Sequence, residues 1–169
     1  VVPETVEISL KGSLKEGVSI MDAAFSFLKQ AGDVKRKSLE FYCPTLDQHE
    51  KEVLCSMACL SGAYTAFTVE EEGAPVLTMD LGAVEPMLML PCDRKDQKDA
   101  KIVPKTSKAG LELNAGQIGG YTGGTIEELR KAASMLDGQK LALGFRLSIC
   151  PATSRDYIQA AEEGILTKF

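Results

Sequence analysis

The sequence predicts an α/β fold of two lobes, each with a mostly parallel sheet flanked by helices. Three observations predict it. Short runs alternating apolar and polar residues recur along the 169-residue chain, and stretches with apolar residues at helical spacing lie between them. The change of period falls at glycines, prolines and capping residues. The order strand, helix, strand, helix requires crossover connections and hence parallel pairing.

In the first lobe, Thr5 to Leu10 sets Val6, Ile8 and Leu10 against polar neighbours, the pattern of a half-buried strand. Ser19 opens a helix with Asp22 at the third position, an acidic form of the capping box. Ile20, Ala24, Phe27 and Leu28 form its apolar stripe, and Gly32 ends it. Lys37 to Tyr42 is a second strand, stopped by Pro44. Thr45-x-x-Gln48 is the expected cap of a helix reaching Ser61, with Leu46, Val53, Leu54 and Met57 on its apolar side and Gly62 after its end. Ala63 to Val69 reads as a third strand, Glu70-Glu71-Glu72-Gly73 as a solvated turn, and Val76 to Leu81 as a further strand. The first lobe therefore covers residues 1–84.

Residues 85–110 contain Pro86, Pro91, Pro104 and many charges, and read as an extended linker. The second lobe, 111–169, has the clearest pattern. Leu111 to Ile118 is a strand, and Gly119 to Gly124 a glycine-rich turn. Thr125-x-x-Glu128 caps a helix carrying Ile126, Leu129, Ala133 and Leu136, closed by Gly138. Leu147 to Cys150 is a strand. Pro151 and Thr153 open a last helix with Tyr157, Ile158 and Ala161, ending at Gly164.

Composition excludes several classes. Apolar residues make up 44% and charged residues 25%, as in ordinary globular proteins. The net charge of −5 disfavours a nucleic-acid partner, and Lys35-Arg36-Lys37 is too short a basic run to reverse that. No apolar run is long enough to predict a membrane span. The cysteines Cys43, Cys55, Cys59, Cys92 and Cys150 are an odd, scattered set, unlike a secreted disulfide framework, so a cytoplasmic location is expected. Cys55 and Cys59 share a helix face, but no second pair has matching spacing, and no metal site is assigned. The opening residues Val1-Val2-Pro3-Glu4 carry neither an initiator Met nor a signal pattern. The expectation is an internal fragment of a longer product.

One position stands ahead of the others as a candidate for chemistry, on a signal that is weak by itself. Gly119, Gly120, Tyr121, Thr122, Gly123 and Gly124 lie between a strand and a helix N-terminus, where backbone N–H groups and the helix dipole favour an anion. The same residues also suit a tight structural turn. The spacing is neither that of a phosphate loop nor that of a dinucleotide fingerprint. His49 sits in the first turn of a predicted helix without a companion nucleophile or second histidine. No catalytic residue is assigned.

Several segments in order carry a resemblance. Gly119 to Leu129 (GGYTGGTIEEL) is similar to a Gly-Ser-Cys-Thr-Asn-Gly-Arg-Ile-Glu-Asp-Leu segment of the aconitase superfamily, in the branch containing the large subunits of 3-isopropylmalate dehydratase and homoaconitase. Arg146 to Phe169 resembles the following strand, turn and helix of that family. Met79 to Pro86 (MDLGAVEP) resembles its Asp-Leu-Ser-x-Leu-Glu-Pro segment, and Pro3 to Asp22 its opening Leu-x-Gly-x-Leu-x-x-Gly-Val pattern. Pro91, Cys92 and Ile102-Val103-Pro104 have counterparts too. The resemblance implies aconitase-like middle domains.

The family holds a [4Fe–4S] cluster through three cysteines, and its open iron acts as a Lewis acid in dehydration and rehydration of hydroxy-carboxylates. The resemblance places the first of those cysteines on Tyr121 and the neighbouring Asn on Gly123. It places a family active-site Asn on Ser56 and a Glu on Leu60. The other two cluster cysteines and the catalytic histidines fall outside this chain. The expectation is a dehydratase-like domain with no cofactor of its own and no hydro-lyase activity as this chain. The alternative is a non-enzymatic carboxylate-binding or assembly module. Expected partners are the remaining domains of its own full-length protein or a small swivelling subunit, a small carboxylate, or a second copy of itself.

Overall fold

The computed structural model describes residues 2–91 and 101–169, so Cys92 lies outside the described residues. It contains two compact units, Val1–Ala109 and Gly110–Phe169. The architecture is the mixed α/β fold that the sequence predicts, with parallel strands flanked by helices.

The first unit runs β1 (Thr5–Lys11), α1 (Ile20–Gln30), β2 (Ser38–Tyr42), α2 (Gln48–Ala58), β3 (Thr65–Val69) and β4 (Leu77–Asp80). Its four-stranded sheet has the order β3-β2-β1-β4, and every pair is parallel. The alternation read from the sequence sets the layers. Val6, Ile8 and Leu10 of β1 and Leu39 and Phe41 of β2 face Ala24 and Phe27 of α1 and Leu54 and Met57 of α2 in one buried cluster. Phe27 and Phe41 meet edge to face, with ring centroids 5.1 Å apart. The other face carries Glu7, Ser9 and Lys11 of β1 and Glu40 and Tyr42 of β2. Both helices pack on the opposite side.

Local capping differs from expectation at one helix. α2 begins at Gln48 because Asp47 and Glu50 form a reciprocal box. The Glu50 N–H donates to Asp47 (2.8 Å) and the Asp47 N–H to Glu50 (3.0 Å). Thr45, the expected cap, donates its hydroxyl to the Gly12 carbonyl at 2.7 Å. Leu46 is buried ahead of the helix rather than along it. At α1 the expected cap forms. One oxygen of Asp22 accepts the N–H and the hydroxyl of Ser19, at 2.8 and 2.9 Å. The other oxygen accepts the Met87 N–H at 2.7 Å, a tertiary role that no local pattern announces.

That contact bears on the expected linker. Residues 85–110 contain β5 (Met87–Met89) and β6 (Ile102–Pro104), an antiparallel pair packed against α1, followed by a 3-10 turn at Lys105–Lys108. The chain through Ala109 therefore belongs to the first unit. Pro86 and Pro104 sit at or beside strand ends, where a missing N–H costs little. Residues 92–100 of the expected linker lie outside the described residues.

The second unit runs β7 (Ala115–Gly119), α3 (Ile126–Leu136), β8 (Arg146–Cys150) and α4 (Ser154–Glu162), with β7 and β8 parallel. Its core is small: Ile126, Leu129, Ala133, Ala160 and Ile165, with Ile118 and Ile149 packed against it. The strand expected from Leu111 starts at Ala115, because Leu111 and Leu113 are exposed and have no core to face.

α3 and α4 are tied by a forked ion pair. Arg130 donates Nε–H to Glu163 at 2.8 Å and a terminal N–H at 2.5 Å. The Arg130 hydrogen bonds, then that from Gln159, hold the Glu163 carboxyl down at about 2. A depressed carboxylate stabilises the fold above its ordinary range and loses that contribution as pH falls through its folded value. The wild-type melting temperature is thus expected to keep this contribution in full down to the ordinary glutamate range and to lose it progressively from there as pH falls to about 2. In Arg130→Met this contribution should be largely absent, so its melting temperature should lie below wild type near neutral pH and the gap should close as pH falls from the ordinary glutamate range toward about 2. Thermal melts across an acid series check this, and superimposable profiles would refute it.

Candidate functional site: the glycine turn before α3

Gly119 to Gly124 joins the end of β7 to the N-terminus of α3. The backbone folds back on itself: Gly120 and Gly123 form a bridge, and the Gly123 N–H donates to the Gly120 carbonyl at 2.8 Å. Tyr121 and Thr122 form the tip, and Tyr121 is 80% exposed. The glycines are required at two positions. Gly119 and Gly124 have φ of 86° and 89°, and a Cβ on either would overlap the Cys150 carbonyl oxygen. The turn is pressed against the end of β8, where the Ala152 N–H donates to the Gly124 carbonyl at 2.8 Å.

The N–H groups of Gly124, Thr125 and Ile126 at this helix start already have carboxylate partners within the chain. Glu128 accepts from the Gly124 N–H at 2.5 Å and the Thr125 N–H at 3.3 Å. Asp156, in the first turn of α4, accepts from the Ile126 N–H at 3.0 Å. Its second oxygen takes the Thr153 hydroxyl, and its own N–H donates to that hydroxyl's oxygen at 3.1 Å. The Thr153 hydroxyl first, and then the backbone N–H groups, hold Asp156 below the usual aspartate range. One carboxylate thus serves the positive ends of two helices. The sequence reading found the donors but missed their acceptor. Thr153-x-x-Asp156 is legible as a local cap, whereas its reach of 30 residues to Ile126 is not.

The remaining candidates fall elsewhere. Ser56 is exposed on α2, and Leu60 is 54% exposed one turn later, in the 3-10 turn Cys59–Ser61. They share a helix side in the first unit, whereas Tyr121 and Gly123 lie in the second. His49 is half-buried in the first turn of α2. Cys59 donates its thiol to the Cys55 carbonyl at 3.4 Å. Burial first, and then neighbouring Cys43 and Cys59, push the Cys55 thiol up to about 11, which opposes thiolate formation.

The donor set at the turn does not fit an iron–sulfur cubane. The tip offers a phenol and a hydroxyl, both hard oxygen donors, where such a cluster takes thiolates. Cys150 is the second unit's described cysteine, and its backbone carbonyl faces the turn. Among the described residues, no group of three or more His, Cys, Asp or Glu is placed to hold a metal ion.

Comparison with known proteins gives a consistent relationship. No family model matches the chain. The 3-isopropylmalate dehydratase large subunit 2 of Archaeoglobus fulgidus is 28% identical over 193 residues, covering 99% of this chain and 46% of that protein. The large subunit from Lachnoclostridium phytofermentans is 28% identical over 198 residues, again covering 99% and 46%. That of Methanopyrus kandleri is 25% identical, covering 98% and 45%. This chain is a relative of the 3-isopropylmalate dehydratase large subunits. It spans about half the length of those relatives. The aligned stretch of 193 positions exceeds the 169 residues here, so the relatives carry insertions relative to this chain.

Proposed function

We propose that this chain is a dehydratase large-subunit-like domain that performs no hydro-lyase chemistry by itself. Tyr121 carries the reading. It stands at the tip of the turn where the resemblance calls for a cluster thiolate, and a phenol is a poor iron–sulfur ligand. Gly123, Ser56 and Leu60 stand in for further family active-site residues, and none supplies an acid, base or thiol of comparable strength. The chain carries no cofactor of its own in this reading.

Of the two non-enzymatic roles, assembly with other protein is the one that the geometry favours over carboxylate binding. The N–H groups Gly124 to Ile126, which would hold a small carboxylate, are engaged by Glu128 and Asp156. The second unit also exposes Met135, Tyr157 and Ile158 on its helices and Leu141 before β8, apolar surface of the kind that docks against protein. The partners proposed are further domains of a longer chain, a small swivelling subunit of the kind implied by the relatives' designation as large subunits, or a second copy. Among the described residues no helix is long and apolar enough to cross a membrane. A cytoplasmic location is part of the proposal and rests on the odd, scattered cysteine set.

The test is anaerobic reconstitution with iron and sulfide, followed by visible absorption and an isopropylmalate dehydration assay. The expected outcome is no stoichiometric cluster band and no turnover. A stoichiometric band or measurable turnover by the purified chain would overturn the proposal.

A further inference from the structure

β3 and β4 are the two edges of the parallel sheet, yet only residues 70–76 connect them. The register explains how. Val69 at the end of β3 is level with Tyr42 and Ser9, and Leu77 at the start of β4 is level with Ile8. The connection therefore has no need to run back along the sheet and instead crosses it. Three strand spacings are about 14 Å, and a segment of this length reaches about 23 Å when extended. The crossing has slack.

It crosses on the face opposite α1 and α2, as its contacts show. The Glu72 carboxylate accepts from the buried Ser9 hydroxyl at 2.7 Å and pairs with Lys11 at 3.0 Å. The Ala74 N–H donates to the Glu7 carboxylate at 2.5 Å, and the Val76 N–H to the Glu7 carbonyl at 2.9 Å. Glu7, Ser9 and Lys11 all project from the helix-free face of β1. Gly73 lies so close that a Cβ there would overlap the Glu7 carboxylate. Beneath the crossing is a cleft of about 90 Å³, lined by Glu7, Ser9, Glu40, Tyr42, Glu71 and Pro75 among others.

We propose that residues 70–76 are a latched strap over the open sheet face, shut by Glu72 on Ser9 and Lys11, and that neutralising Glu72 lifts the strap off the cleft. The expected solvated acidic turn is thus a closure. Glu72 faces Lys11 and Glu7 from β1 and Glu40 and Tyr42 from β2, with Glu70 and Glu71 beside it on the strap. Removing its charge cancels the Lys11 attraction, and lifting the strap then relieves carboxylate crowding. The Ser9 hydrogen bond first, and the Lys11 bond second, hold Glu72 below the usual glutamate range. The latch is therefore complete above that range and is lost as pH falls through the lowered value. An open strap bares Ser9 and Tyr42 on a parallel sheet, a face that such sheets ordinarily keep covered.

Hydrogen–deuterium exchange on the full chain, corrected for intrinsic rates, tests this. Near neutral pH, Glu72→Gln is expected to speed exchange in the 70–76 peptide at least about tenfold, with the core peptide spanning Leu39 and Phe41 unchanged. Gly73→Ala, which displaces the Glu7 carboxylate, should do the same, and Glu71→Gln should not. Wild type should show the acceleration on acidification and Glu72→Gln should not, a comparison that survives if Gly73→Ala misfolds. If Glu72→Gln itself misfolds, the wild-type acid response alone decides. Wild-type protection in 70–76 that is flat with pH, or equal in Glu72→Gln, overturns the latch.

Discussion

Gly124→Ala is expected to destabilise the second unit by about 3–5 kcal/mol, at the upper end of single-substitution effects. Two costs combine. The residue sits at φ 89°, and a side chain in that left-handed region costs about 1–2 kcal/mol. The added Cβ would also meet the Cys150 carbonyl oxygen and approach the Ala152 N at 3.0 Å. Both obstacles are backbone, so no rotamer change relieves them. Relief requires the start of α3 to part from the end of β8, breaking the Ala152 to Gly124 hydrogen bond. A unit with five core residues has little stability in reserve. The comparison variant is Gly138→Ala. Gly138 has φ 73° but nothing within 4 Å of an added Cβ, so only the conformational cost of about 1 kcal/mol remains. Urea denaturation followed by circular dichroism separates the two costs. Equal midpoints for both variants would show that the turn yields, and that its glycines serve conformation without close packing.

The fold was legible where one face of an element meets a core. Val6, Ile8 and Leu10 alternate because one side of β1 is buried, and Ile126, Leu129 and Ala133 recur at helical spacing for the same reason. Strand order in the first sheet was not legible, because it depends on the register that carries residues 70–76 across to β4. The α2 cap was misplaced by two residues. Thr45-x-x-Gln48 and Asp47-x-x-Glu50 overlap, and tertiary capture of the Thr45 hydroxyl by Gly12 decides between them. The short β5–β6 pair was hidden by prolines and charges, and Asp22 fixes it from 65 residues away. At the candidate site the glycines announced a backbone constraint correctly. What they could not announce is that the positive helix end is met from α4, by a residue that local pattern makes only a cap.

Asp156→Ala is therefore the more informative change for function. Removing this carboxylate leaves the Ile126 N–H at the start of α3 without its acceptor and strips Thr153 of its partner at the start of α4. Loss of a helix cap costs about 1–2 kcal/mol, and a second orphaned donor adds to that, so about 2–3 kcal/mol is expected. Asp156→Asn keeps a neutral acceptor and should cost less, because only the interaction of charge with two helix dipoles is lost. The variants differ in what they leave behind. Asp156→Ala vacates a position bordered by N–H donors at a helix end, the setting that favours phosphate, sulfate or a carboxylate. Citrate, phosphate and sulfate are expected to raise the melting temperature of Asp156→Ala by more than they raise that of wild type. The ordering follows from competition: in wild type an added anion must displace a tethered carboxylate whose local concentration it cannot match. Thermal shift with each anion at constant ionic strength is the measurement. An equal shift in wild type would mean that the glycine turn holds an anion elsewhere along Gly119 to Thr122, which would favour the carboxylate-binding reading over assembly alone. A wild type indifferent to anions beside a responsive Asp156→Ala would establish that the Asp156 carboxylate itself occupies the position at the start of α3 that an anion would take.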